Sequence, residues 1–137
     1  MRINILSGEI VDAAMDVHRE IGPGLLESAY EECLCFELTE RSIKFRRQVE
    51  LPVRYKSVNL DCGCRLDVVV EDLVVEDLVV VELKSVAALQ PIHRAQMLTY
   101  LRLSQLPLGL LMNFNVPLLK DGVMRVALRA NAANYDW

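Results

Sequence analysis

The chain has 137 residues, of which 53% are apolar and 25% charged, and its net charge is −4. This composition excludes a disordered chain and suits one domain with one core over residues 1–137. No apolar run reaches the roughly 18 residues of a membrane span, and the opening "MRINILSGEIVDAAMD" has no apolar signal core. A cytoplasmic protein without a membrane partner is expected.

Residues 8–21 read as a helix, with Ile10, Ala14, Val17 and Ile21 at helical spacing. Gly22-Pro23-Gly24 stops it. A second helix follows over 25–41, its stripe formed by Leu26, Ala29, Cys33 and Phe36, and the short link makes the two a tight pair. "IKFRRQVELPVRYK" (43–56) reads as a strand with Pro52 at an edge or bulge. "SVNLDCG" turns the chain, and two Val-rich runs ending at Lys84 form a hairpin. Residues 91–104 are helical, with Pro91 near the first turn. "LPLGLLMNFN" is an apolar strand buried on both faces. Lys120-Asp121-Gly122 turns into a last strand, "VMRVALR"; the tail "ANAANYDW" has no assigned element, and Trp137 carries no functional signal. The order α-α-β-β-β-α-β-β predicts an α/β fold, a mixed sheet flanked by helices.

Several residues carry chemistry. Glu82 and Lys84 are two apart on a strand and share a face, and Asp67 on the partner strand completes a charged cluster in apolar surroundings. Buried charge must be paired or metal-bound. A divalent cation relieves two adjacent carboxylates, and an ammonium beside them holds or activates a water. The plainer alternative is a cross-strand Asp–Lys or Glu–Lys pair on a solvated face. Gln96 and Tyr100 share one helical face, as do Glu27 and Tyr30. Arg41, Lys44, Arg46, Arg47, Arg54 and Lys56 form a basic patch that is either a solvated edge strand or a phosphate contact. Cys33/Cys35 and Cys62/Cys64 are spaced too closely for the usual structural zinc site, so small buried thiols without disulfides are expected. His18 either approaches a site or ends its helix, where a cation suits the dipole. His93 and Arg94 open the third helix and could meet phosphate, though solvated positions are the plainer reading.

"GLLESAY" matches a G-x-x-E-x-x-Y signature, followed in order by "RLD", "VELK" and "QMLTY". Together with "PIHRAQ" and "LMNFN", these resemble the GxxExxY family of the PD-(D/E)XK nuclease superfamily over residues 10–126. The resemblance implies a restriction-endonuclease-like core, a mixed four- to five-stranded sheet flanked by helices. It also implies metal-dependent cleavage of phosphodiester bonds, in DNA above all. Asp67 and Glu82, with the Leu83 carbonyl, would bind Mg²⁺, for which Mn²⁺ can substitute. Lys84 would orient or deprotonate the attacking water, Glu27 would touch the metal directly or through water, and Gln96 and Tyr100 would steady the site. The rival reading is a non-catalytic nucleic-acid-binding or regulatory protein that keeps the fold.

The pentapeptide EDLVV occurs twice, at 71–75 and 76–80. Asp67 therefore lies fifteen residues before Glu82, whereas the family spacing of ten lands on Asp72. Either Asp67 keeps the role and residues near 71–77 bulge out with Leu73, Val74 and Val75 exposed, or the strand slips, Asp72 takes it and the turn stays at Glu76-Asp77. A third outcome is a broken site. We favour Asp67, because the slip places Glu71 at an apolar position. The high apolar content predicts a homodimer, through the last strand or the extended hairpin.

Overall fold

The computed structural model describes residues 2–72, 77–133, 135 and 137. The first helix, α1 (Arg2–Ile21), starts a turn and a half before the expected position because Ile3 and Ser7 continue its buried stripe through Ile10, Ala14 and Val17. Ile21, placed on that stripe from the sequence, is exposed instead. The chain reverses at Gly22 and Gly24, both at positive φ (78° and 103°), which a side chain would resist.

Helix α2 (Glu27–Glu40) buries Tyr30, Leu34, Cys35 and Leu38. The expected stripe faces the other way: Leu26 and Phe36 lie in solvent. Both stripes have helical spacing, and a distant partner decides between them. Tyr30 stacks on Phe114 with ring centroids 4.4 Å apart, and that contact orients the helix.

The expected strand over 43–56 is divided. β1 (Phe45–Glu50) ends before Pro52, which cannot donate to a ladder. Beyond it, β2 (Val53–Tyr55) and β3 (Val58–Leu60) form a separate two-stranded ribbon. Its two-residue turn, Lys56-Ser57, has φ of 49° and 70°, the positive values that tight hairpins demand. The segment read as a plain turn thus contains a strand.

The main sheet continues with β4 (Arg65–Glu71), β5 (Asp77–Lys84), β6 (Leu108–Asn113) and β7 (Val123–Ala127), in the order β1-β4-β5-β6-β7. Helix α3 (Pro91–Ser104) crosses over between β5 and β6, which pair in parallel, while the other pairs are antiparallel. This is the mixed five-stranded, helix-flanked sheet expected from the sequence. A 3-10 turn (Leu119–Gly122) precedes β7, and a short helix α4 (Arg129–Ala132) opens the tail. Trp137 packs against the core, with the Arg125 guanidinium 5.5 Å from its ring.

Two apolar layers sandwich the sheet. α1 and α2 meet Val68, Val70, Val79, Val81 and Leu83 on one face, and α3 meets Val69, Val80 and Leu111 on the other. Burial on both faces explains why the hairpin strands are unbroken runs of valine. α3 sits so close to β6 that a Cβ on Gly109 would clash with Met97. Among the described residues, no helix is long and apolar enough to cross a membrane.

Candidate active site

The hairpin pairs Val68 with Val81, Val69 with Val80 and Val70 with Val79. Continued toward the open end, this register sets Asp67 opposite Glu82, on the α3 face. The Leu83 N–H donates to Oδ2 of Asp67 at 3.0 Å, so the side chain replaces a ladder carbonyl there. Asp72 lies at the opposite end of the hairpin, 3.2 Å from Arg2. The candidate loop tip, Leu73, Val74 and Val75, lies outside the described residues, and so does Glu76. The register has a physical cause. Leu66 is buried at the start of β4, and a five-residue slip would put Glu71 in its place, an unpaired carboxylate in an apolar layer. Glu71 instead accepts from Arg46 at 3.1 Å.

Glu82 is 5% exposed, and its Oε1 has no hydrogen-bond partner among the described residues. Burial, followed by the facing Asp67 carboxylate, pushes its pKa up to about 10, while Lys84 on the same strand face pulls the other way. Burial and the facing carboxylate thus favour the neutral form of Glu82. Tyr100 comes from α3. Its phenol is pushed up by burial first and then by Glu82, Cys64 and Asp67, which sets it in the field of the pair. Gln96, one turn earlier on α3, is exposed. A crowded acid pair with an orphaned buried oxygen fits a divalent cation. Mg²⁺ takes one or two carboxylates and fills its shell with water and substrate oxygen. Among the described residues, no cluster of three or more His, Cys, Asp or Glu side chains could hold a metal.

Glu27 comes from the opposite side of the sheet. It opens α2, and its Oε2 accepts the Ser85 N–H at 3.2 Å, immediately beyond Lys84. The Ser85 hydroxyl donates to the Leu25 carbonyl at 2.6 Å. Tyr30 braces the same loop, donating to the Gly22 carbonyl at 2.7 Å and accepting the Leu25 N–H at 3.1 Å. The three named residues of the G-x-x-E-x-x-Y motif thus form a bracket. Gly24 makes the turn, Glu27 grips the end of β5 and Tyr30 holds the loop between them. From β6, buried Asn113 accepts the Val86 N–H at 3.1 Å and donates to the Val86 carbonyl at 3.0 Å. The Phe114 N–H donates to the Lys84 carbonyl at 2.9 Å. A groove of about 590 Å³, lined by Gly24, Leu25, Leu26, Glu27, Ser28, Ser85 and Asn115, opens beside this end.

A family model described as the PD-(D/E)XK nuclease superfamily matches residues 4–126. The chain belongs to the PD-(D/E)XK nuclease superfamily. Membership supports a nuclease-type phosphodiesterase acting on nucleic acid, a class that generally uses divalent metal ions. No match was found among curated proteins or among solved structures.

Sequence reasoning about this nuclease-superfamily chain missed Asn113 and Ser85 as supports of the site. The signal for Asn113 was an amide ending an otherwise apolar strand, where a buried polar group must have partners. Much of the basic patch is consumed internally. Arg47 donates to Glu31 at 3.0 and 2.7 Å and to Glu32 at 2.9 Å, which ties α2 to β1. Arg41 pairs with Asp16 and Glu37, and Arg46 with Glu71. Lys56 sits over the Tyr55 ring. His18 is buried, and its Nε2 lies 3.1 and 2.9 Å from the Phe114 and Val116 carbonyls, so that nitrogen carries the proton. His93 accepts the Gln90 N–H at 2.8 Å and caps α3. The thiols are not alike. All four are free, Cys35 is buried with its pKa pushed up to about 11 by desolvation, and Cys62, expected to be buried, is exposed.

Proposed function

We propose that this chain, within the GxxExxY group of the superfamily, hydrolyses phosphodiester bonds in DNA with Mg²⁺ in the cytoplasm. The observation that carries the reading is the buried, unpartnered Oε1 of Glu82 facing Asp67. In this reading Asp67, Glu82 and the Leu83 carbonyl hold the ion. When bound, Mg²⁺ lowers the pKa of a coordinated water and neutralises charge on the scissile phosphate. With an ion in place, Glu82 would be held as a carboxylate beside Asp67. Lys84 shares the face of Glu82 and would orient the attacking water as an ammonium, or take its proton only as the uncharged amine. Tyr100 and Gln96 steady the phosphate from α3. Glu27 holds the Ser85 backbone, so that Lys84 keeps its direction, and would be the residue on that side to meet the ion directly or through water.

The test is cleavage of single- and double-stranded DNA with Mg²⁺ or Mn²⁺. Cleavage is expected to need the ion, and Glu82→Ala to lower it by about a thousandfold, the several kcal/mol that a lost metal supplies. DNA binding without cleavage in the intact protein would contradict the reading and point to a binding protein.

A further inference from the structure

The segment that follows β6 has no ladder to hold it. β6 ends at Asn113 and the 3-10 turn begins at Leu119, so residues 114–118 belong to neither. Yet this segment carries the contacts that fix the chain from Lys84 to Val86. The Phe114 N–H donates to the Lys84 carbonyl at 2.9 Å. The Asn115 N–H donates to Oδ1 of Asn113 at 3.2 Å, the same oxygen that accepts the Val86 N–H. The segment therefore sets Lys84 directly, and it sets Val86 through the Asn113 carboxamide.

His18, from α1, sets the segment. The residue is 7% exposed, and its Nε2–H is shared between the Phe114 carbonyl at 3.1 Å and the Val116 carbonyl at 2.9 Å. Those two carbonyls flank Asn115. Phe114 is thus held at both ends, its N–H on Lys84 and its carbonyl on His18. An apolar side chain of similar volume would fill the same space and leave both carbonyls without this donor, which is costly for buried backbone. The place of the two bonds says more than their number: each lies within one residue of a contact on Lys84 or Asn113. We propose that His18 is a positioning residue of the nuclease site, holding the Lys84 and Val86 backbone through Phe114 and Asn115 and so fixing the direction of the Lys84 side chain. The inference rests on the nuclease reading, in which Lys84 acts on the attacking water. His18 works beside Glu27, which grips Ser85 from α2. Misplacing a reacting group by about 1 Å from a distance can lose roughly a hundredfold in rate, so such support matters to the chemistry.

Three substitutions in the full chain test it, each on protein shown by urea melts to be folded. His18→Leu keeps bulk without a donor. His18→Gln can bring an amide N–H near the place of Nε2, and His18→Asn is one methylene too short. In DNA cleavage with Mg²⁺, His18→Leu is expected to lower kcat by at least about tenfold with KM within about threefold, because placement is lost and substrate binding is not. His18→Gln should stay within about threefold of the wild type in both. Exchange of the Val86 amide hydrogen should speed by at least about tenfold in His18→Leu and stay unchanged in His18→Gln. His18→Asn should behave as His18→Leu does, and it takes its place if the leucine variant does not fold. A folded His18→Leu with wild-type kcat, unaltered Val86 exchange, or a Gln variant as impaired as the Leu variant would each overturn the proposal. So would a loss of Mn²⁺ affinity matching the loss in kcat, which would assign His18 to the metal. A wild type that does not cleave would instead overturn the nuclease reading, and this role with it.

Discussion

The two ends of the β4–β5 hairpin are built from nearly the same residues and restrained in different ways. At the open end, Asp67 and Glu82 face each other across buried valines, and the following loop is gripped by Glu27, Asn113 and the Leu25 carbonyl. At the tip end, the partly buried Glu71 and Asp72 pair with Arg46 and Arg2, and the pairing shifts between Val70 and Glu71. The duplicated EDLVV therefore changes the tip and leaves the acid pair facing. A strand refuses extra residues where a slip would bury an unpaired carboxylate. The acid pair stands at the end that cannot slip.

The strongest way to break that contrast is to put a carboxylate where the slip would put one. Leu66→Glu is expected to cost roughly 3–5 kcal/mol in urea unfolding, because nothing at that position pairs with it. Glu71→Leu, at the tip, should cost under about 1 kcal/mol, the value of an exposed pair with Arg46. Similar losses from both would mean that the two ends are equally restrained.

The open end should also respond to pH. Glu82 is raised to about 10 in the fold and returns to an ordinary carboxyl value when unfolded, so the folded state binds the extra proton. Its contribution to stability is complete below the unfolded value near 4.5 and is lost as pH rises toward 10. In EDTA, unfolding free energy should fall by roughly 1 kcal/mol per pH unit between pH 6 and 8. Glu82→Gln should flatten that slope. Urea melts at three pH values decide it, and a flat wild-type profile would contradict a buried, protonated Glu82.

Much of this architecture was legible because it depends on local rules. The α3 boundaries, the buried β6 and the shared face of Glu82 and Lys84 follow from periodicity and parity alone. The outward stripe of α2 was not legible, because Tyr30 finds Phe114 only after the whole sheet has formed. Nor was the fate of the arginines, since a basic run reads the same whether it meets phosphate or, as Arg47 does, a buried Glu31. Neighbouring residues gave no clue that Pro52 would separate a ribbon from β1. The acid pair was legible as a choice between Asp67 and Asp72, and the buried position of Leu66 separates the two geometrically.

Smaller changes sharpen the contrast further. Asn113→Ala should cost about 1–3 kcal/mol by leaving the Val86 N–H unpaired and its carbonyl to Asn115 alone at 3.4 Å, and should speed exchange of the Val86 amide hydrogen. Deleting residues 73–77 restores the ten-residue spacing between Asp67 and Glu82. Mn²⁺ affinity in that variant should stay within about twofold of the full chain, because the pairing of Val68 with Val81 survives. A large loss of affinity would show that the extra residues support the site.

The most direct measurement is Mn²⁺ binding by calorimetry to the full chain, Asp67→Asn and Asp72→Asn. If Asp67 and Glu82 hold the ion, Asp67→Asn loses at least about a hundredfold in affinity, the loss of a charged ligand from a two-carboxylate site. Asp72→Asn, at the far end of the hairpin, then binds as the wild type does. Loss in Asp72→Asn alone would show that the slipped register holds the metal, and unchanged binding in both would remove the aspartate from the site.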